Sequence, residues 1–157
     1  MDNKPLIMNM NQITASHKHE HPDYEYHKRV ITPRSTSAQC YVCVYDIPPH
    51  KFAYPYHYHT NNTEVFHILH GTGNLQTPEG ESFVKTGDVI VFPPGAAGAH
   101  KLQNSSDHEM LTYMDYATTN SPDIVYYPDS NKVGMIVHGT SADFFSMDQS
   151  VDYYKGE

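Results

Sequence analysis

Histidine and glutamate stand in this chain at spacings that suit a divalent metal. The run Tyr56-His57-Tyr58-His59-Thr60-Asn61-Asn62-Thr63-Glu64 sets two imidazoles two residues apart among aromatic and β-favouring residues. On a strand such positions project from one face, with Tyr56 and Tyr58 on the other. Thr60 to Asn62 supplies a turn, and Glu64 opens the next strand, where it returns to the same interior face. In that strand Glu64, Phe66, Ile68 and His70 share one face, and Val65, His67 and Leu69 share the other. A third imidazole, His100, follows the loop Pro93-Pro94-Gly95-Ala96-Ala97-Gly98 and shares a face with Leu102 and Asn104. A sheet that closes into a barrel sets His100 opposite His57 and His59. Three neutral imidazoles and one carboxylate suit a first-row divalent ion. Four protein ligands leave roughly two octahedral positions for water or substrate. An H-x-H alone is a weak signal in a chain with twelve histidines, so the weight rests on the elements that carry it.

Those elements are short strands. Strand-like runs fall at 39–47, 52–59, 64–70, 72–77, 81–85, 88–92, 99–104 and 109–116. Turn chemistry separates them, including Pro48-Pro49, Gly71-Thr72-Gly73, Thr77-Pro78-Glu79-Gly80 and Thr86-Gly87. Regular short strands of this kind predict an all-β sandwich or barrel, not a parallel α/β sheet. The 157 residues fit one domain with tails. The expected division is an N-terminal arm over 1–30, a barrel over 31–127 and an irregular C-terminal tail over 128–157, packed on the barrel. The arm contains His17-Lys18-His19-Glu20-His21. Its alternating imidazoles are metal donors, but a solvated polar segment is the simpler reading. Cys40 and Cys43 form a lone C-x-x-C on a strand, where residues three apart face opposite ways, so packing rather than redox chemistry is expected.

Composition narrows the function. Ten Lys+Arg against 18 Asp+Glu give a net charge of -8, which argues against a binder of nucleic-acid backbones. No apolar run approaches the roughly 18 residues of a membrane span. The N-terminus shows no secretory signal, and the cysteines form no disulfide framework, so a cytoplasmic protein is expected. Hydrophobic residues are only 38%, with 13 tyrosines among them, so tyrosine must supply much of the core.

Two segments resemble the two motifs of the cupin superfamily. From His57 to Gly71 the chain has H-x-H, four residues, Glu, six residues and Gly. From Gly87 to Asn104 it matches the second motif with Gly87, Pro93, Gly95, His100 and Asn104. The resemblance implies a double-stranded β-helix (jelly-roll) barrel with a metal in its mouth. It implies His57, His59, Glu64 and His100 as the ligands. Two departures stand out. The usual glycine before H-x-H is replaced by the stretch Pro48-Pro49-His50-Lys51, and four residues rather than two separate Gly95 from His100. Gly98, tolerant of positive φ, is expected to absorb the longer loop. Tyr127-Pro128-Asp129 and the closing Asp152-Tyr153-Tyr154-Lys155-Gly156-Glu157 are similar to a largely uncharacterised branch of single-domain cupins sometimes labelled sugar-phosphate isomerases.

The expected function is a metal-dependent enzyme acting on a small polar molecule, by isomerase, epimerase or dioxygenase chemistry. The alternative is a module that binds a sugar or carboxylate through the metal without turnover. The cofactor is one divalent transition metal: Fe, Mn, Ni, Zn or Co. Phe66, Ile68, Leu102 and Tyr113 are the expected pocket residues. No general base is evident, since His67 faces away from the ligands and His70 lies at a strand end. Lys51 and Lys101 are the cations nearest the motifs, and Lys101 alternates away from His100, which speaks against a phosphate substrate. The resemblance implies a homodimer, and Tyr56, Tyr58, Val65, His67 and Leu69 would be the outward face that needs cover. No nucleic-acid or membrane partner is expected.

Overall fold

A computed structural model describes residues 4–32 and 39–157. The regular structure is antiparallel β, joined by single 3-10 turns, with no α-helix among the described residues. Strands β1 (Ser16–His21), β2 (Tyr24–Thr32), β3 (Cys40–Ile47), β5 (Glu64–His70), β8 (Val89–Phe92) and β10 (Leu111–Thr118) build one sheet, ordered β1-β2-β3-β10-β5-β8. Strands β6 (Thr72–Thr77), β7 (Gly80–Lys85) and β9 (Lys101–Asn104) form a second group, ordered β7-β6-β9. A third group, ordered β13-β12-β11-β4, comprises β4 (Tyr58–His59), β11 (Asp123–Tyr127), β12 (Lys132–Val137) and β13 (Ser141–Ser146). The second and third groups meet at an antiparallel bridge between His57 and His100. Each donates its amide to the other's carbonyl, at 3.1 and 2.9 Å. The result is a double-stranded β-helix, with His57 and His100 at the join of its second face.

Alternation sets the core. On β3, Tyr41, Cys43, Tyr45 and Ile47 are buried, and on β5 so are Glu64, Phe66 and Ile68. Tyrosine makes up for the scarce aliphatics. Tyr45 stacks on Tyr113 with ring centroids 5.0 Å apart, the Tyr45 and Tyr54 hydroxyls share a 2.9 Å hydrogen bond, and Tyr54 donates to the Tyr26 hydroxyl at 3.3 Å. Buried tyrosine needs such partners for its polar tip. Cys40 is exposed and Cys43 buried, and neither is joined in a disulfide. Burial, reinforced by Asp115, pushes the Cys43 thiol up to about 12, so it packs as a small apolar group.

Three parts of the fold differ from the sequence reading. Within the expected N-terminal arm, residues 16–32 form regular strands, since β1 and β2 pair and β2 runs along β3. The expected C-terminal tail contains β12 and β13, a hairpin that widens the third group. These hairpins lack a clean apolar period because they lie at sheet edges, and every residue of β1 is exposed. The predicted strand at 52–59 is reduced to Tyr58–His59. Pro55 cannot donate to a ladder, and its carbonyl turns instead to the His57 ring.

Candidate metal centre

The structure brings His57, His59 and Glu64 together, with one donor atom of each within 4.8 Å of the others. Glu64 Oε2 is the common point. It lies 3.8 Å from His57 Nε2, 3.5 Å from His59 Nε2 and 3.3 Å from His100 Nε2. All four side chains are buried.

Each imidazole is held from behind. His57 Nδ1 donates to the Pro55 carbonyl at 2.8 Å and His100 Nδ1 to the Gly98 carbonyl at 2.9 Å. His59 Nδ1 donates to Asp123 Oδ2 at 2.5 Å. With the proton on Nδ1, the lone pair of Nε2 faces Glu64 in all three rings. Partners of this kind fix both tautomer and ring orientation in metal sites. Three lone pairs and an anionic oxygen then converge in an apolar interior. Glu64 Oε2 and His100 Nε2 have no hydrogen-bond partner in the structure. Such atoms repel unless a cation lies between them, so the donor set fits a divalent first-row ion.

Electrostatics keeps the donors in the right charge state. Burial lowers His57 to about 3, with the His100 ring adding to the effect. Burial pushes Glu64 upward, but the surrounding imidazoles, His59 foremost, outweigh it and hold the carboxyl below its usual range. A neutral imidazole and an ionised carboxylate are the forms that bind a metal.

The loop before His100 works differently from the sequence expectation. Gly95, at φ 91°, takes the left-handed turn, and its amide donates to the His59 carbonyl at 2.7 Å. Gly98 lies in the 3-10 turn Ala96–Gly98 and is needed for space, since a Cβ there would meet the Pro93 carbonyl oxygen at 1.9 Å. The missing glycine before H-x-H also has a counterpart, for His50 adopts φ 62° in that turn. Asn104 is a brace. It is buried, donates to the Ile47 and Glu109 carbonyls at 2.8 and 2.7 Å, and accepts from the Ser106 amide.

A cavity of about 300 Å³ opens on the centre. Phe66 and Tyr113 line it, with His57, His59 and Glu64. Ile68 does not line it; it is fully buried in the core. Leu102 also misses it and borders a separate void of about 10 Å³ behind His100. His100 is shielded by Phe92, stacked on its ring at 3.7 Å. His70 is exposed beside Glu109. Lys101 packs over the Phe52 ring at 4.1 Å, and Lys51 bonds the Pro22 carbonyl.

Sequence reasoning missed Asp123, Lys28, Asp115, Tyr45 and Tyr127. The last four line the cavity. Lys28 comes from β2, so the cation at the cavity is neither Lys51 nor Lys101, the two nearest the motifs in sequence. The alternation Tyr26, Lys28 on a strand was the available signal, but that segment carries no apolar period.

Residues 43–115 match the cupin domain family. That match takes in His57, His59, Glu64 and His100 and spans just under half of the chain. Among solved structures, it is similar to a protein of Acidithiobacillus ferrooxidans provisionally named a sugar phosphate isomerase. The TM-score is 0.79 at 21% identity, over 94% of this chain and 95% of that one. A cupin-superfamily sugar phosphate isomerase of Silicibacter pomeroyi gives 0.79 at 20% identity, over 92% and 95%. A provisionally named oxalate decarboxylase of Thermotoga maritima gives 0.63 at 17% identity, over 72% and 98%. At these identities the likeness is one of fold. No curated protein matches the chain.

Proposed function

We propose that the chain is a metal-dependent enzyme whose substrate is a small, polar, anionic molecule, with isomerase or epimerase chemistry as the first reading. The observation that carries it is the convergence of three imidazole Nε2 atoms on Glu64 Oε2 at the floor of a cavity. His57, His59, Glu64 and His100 would hold the ion. A bound divalent ion supplies Lewis-acid charge to a carbonyl or hydroxyl oxygen. Lys28 supplies the charge that favours an anion, and Asp115 is the carboxylate placed to hold or move a proton in the same cavity. About 300 Å³ is at the small end of ligand pockets, matching a molecule of sugar or sugar-phosphate size. The neighbours' names agree with this substrate class.

Metal analysis of untagged protein, followed by a turnover screen of sugars, sugar phosphates and β-diketones, tests the reading. One equivalent of metal that His59→Ala abolishes, together with product from a sugar-type substrate, supports it. Undiminished metal in His59→Ala overturns it. Saturable binding without product supports the second reading, a non-catalytic binding module. That reading draws on a cavity whose charged lining among the described residues, beyond His57, His59 and Glu64, is Lys28 and Asp115.

We also propose a homodimer in the cytoplasm. Support for the compartment is that neither cysteine is joined in a disulfide. Support for the dimer is an outward strip on the six-stranded sheet. Val65 lies opposite both Val91 and Tyr116, and Val89 and Val91 are 59% and 61% exposed. Tyr58 does not belong to this strip, because it stacks on Tyr126 at 5.1 Å in another sheet. A 17.9 kDa particle by sedimentation at micromolar concentration would remove the dimer.

A further inference from the structure

The β1–β2 hairpin carries a second group of metal donors. His17 pairs in register with His27 across the two strands. His17, Glu25 and His27 each offer one donor atom, and all three atoms lie within 4.8 Å of one another. His17 Nε2 is 3.0 Å from Glu25 Oε1. The His17 ring stacks on His19, at 4.5 Å and 19°, and on His27, at 4.2 Å and 10°. Stacked, nearly parallel rings set their nitrogens side by side. Glu25 and His27 alternate with Tyr26 and Lys28 along β2. Tyr26 belongs to the core and Lys28 lines the cavity, so the donors project from the outer face.

The outer strand of this hairpin lacks the usual source of stability. β1 reads Ser-His-Lys-His-Glu-His and buries none of its six residues, so its ladder to β2 holds it without apolar burial. An ion bound across the two strands would join them by coordination instead of burial. Imidazoles with a single carboxylate favour borderline ions over Mg²⁺ or Ca²⁺, which prefer all-oxygen shells.

We propose that His17, Glu25 and His27, with His19 beside them, form a second divalent-metal site of the Zn²⁺ class on the outer face of this hairpin. It is separate from the barrel centre and independent of the function assigned there.

Zn²⁺ titration by calorimetry tests it, on full-length, untagged, metal-free protein. The comparison set is the wild type, His17→Ala/His27→Ala, and His59→Ala/His100→Ala. The hairpin variant should lose one Zn²⁺ equivalent that the barrel variant retains. The His17 and His27 ring resonances should shift on Zn²⁺ addition in wild-type protein, a readout that stands if the barrel variant does not fold. Unchanged stoichiometry and affinity in the hairpin variant would overturn the proposal, as would ring resonances that stay still until Zn²⁺ is millimolar. Zn²⁺ uptake confined to the hairpin would support it while removing the barrel reading.

Discussion

Asp123→Asn isolates the part of the centre that lies outside the recognisable motifs. Asp123 is fully buried. Its Oδ2 accepts from His59 Nδ1 at 2.5 Å and its Oδ1 accepts from the Asn61 amide at 3.2 Å. Burial pushes the carboxyl up, but hydrogen bonds from His59, Asn62 and Asn61 hold it below the usual range. Both oxygens of the carboxylate are acceptors, whereas asparagine offers one acceptor and one donor. In either orientation of the amide, one donor faces another donor. If the Asn61 amide keeps its acceptor, His59 must move its proton to Nε2 and point a hydrogen at Glu64. A buried unsatisfied group costs about 1–3 kcal/mol. Losing an orienting partner typically weakens metal binding by about 10–100-fold, which is about 1.4–2.7 kcal/mol. The two routes agree on the size of the effect. Chelator competition with Zn²⁺ or Mn²⁺ should therefore show binding at the barrel centre 10–100-fold weaker, with β-sheet circular dichroism retained. A folded variant with wild-type affinity would refute the claim that Asp123 sets the His59 tautomer.

Acid should destabilise the metal-free protein early. His57 sits at about 3 when folded, against 6.5 for the free side chain. Between those values the unfolded chain binds the extra proton, so stability falls as pH drops from about 6.5 towards 3, by up to about 5 kcal/mol. Glu64, lowered in the fold, adds to the loss once pH passes below about 4.5. Urea melts from pH 7 to 4 should show this, and a flat midpoint over that range would contradict it. Gly98→Ala places a Cβ 1.9 Å from the Pro93 oxygen, so the loop must shift at a cost of about 1–3 kcal/mol. A lowered Tm with weakened metal binding is expected, and an unchanged Tm would show that the loop yields freely. Lys28→Met removes the cation from the cavity lining. Affinity for a phosphorylated or carboxylated ligand should fall about tenfold or more, as for a lost charge-assisted hydrogen bond, while metal content stays the same. Equal losses for neutral and anionic ligands would point to packing instead.

What was legible in the sequence follows from periodicity. Glu64, Phe66 and Ile68 could be placed on one face because β5 alternates strictly, and His57 and His59 because strands repeat every two residues. His100 was readable as a donor from its position after the Pro-Pro-Gly loop, but the role of Gly98 was not. Its constraint is a clash between a Cβ at that position and the Pro93 carbonyl, not a dihedral preference in its own sequence. Asp123 stayed hidden because an acidic residue opening a strand looks like a turn residue until the strand beside it is known. Lys28 stayed hidden because β2 is a half-polar strand near the sheet edge, where burial gives no period to read. Ile68 and Leu102 were placed in the pocket for facing the right way, yet facing inward in a filled barrel mostly means core.

The position of the centre also explains why the chain tolerates irregular backbone around its buried donors. β4 has only two residues and joins β11 through two register pairs. On its other side, His57 meets β9's approach through the His100 bridge alone within the motif. A ladder this short holds little on its own, yet three imidazoles must keep their nitrogens within a few ångströms of one oxygen. The rigidity comes from the rings' own Nδ1 bonds to Pro55, Gly98 and Asp123. Two of those acceptors are backbone carbonyls two residues before the histidine they hold. Local chain geometry thus aims His57 and His100, and only His59 depends on a side chain from a distant strand. That asymmetry makes the His59–Asp123 pair the point where tertiary assembly, rather than local turn structure, determines whether the donor set forms.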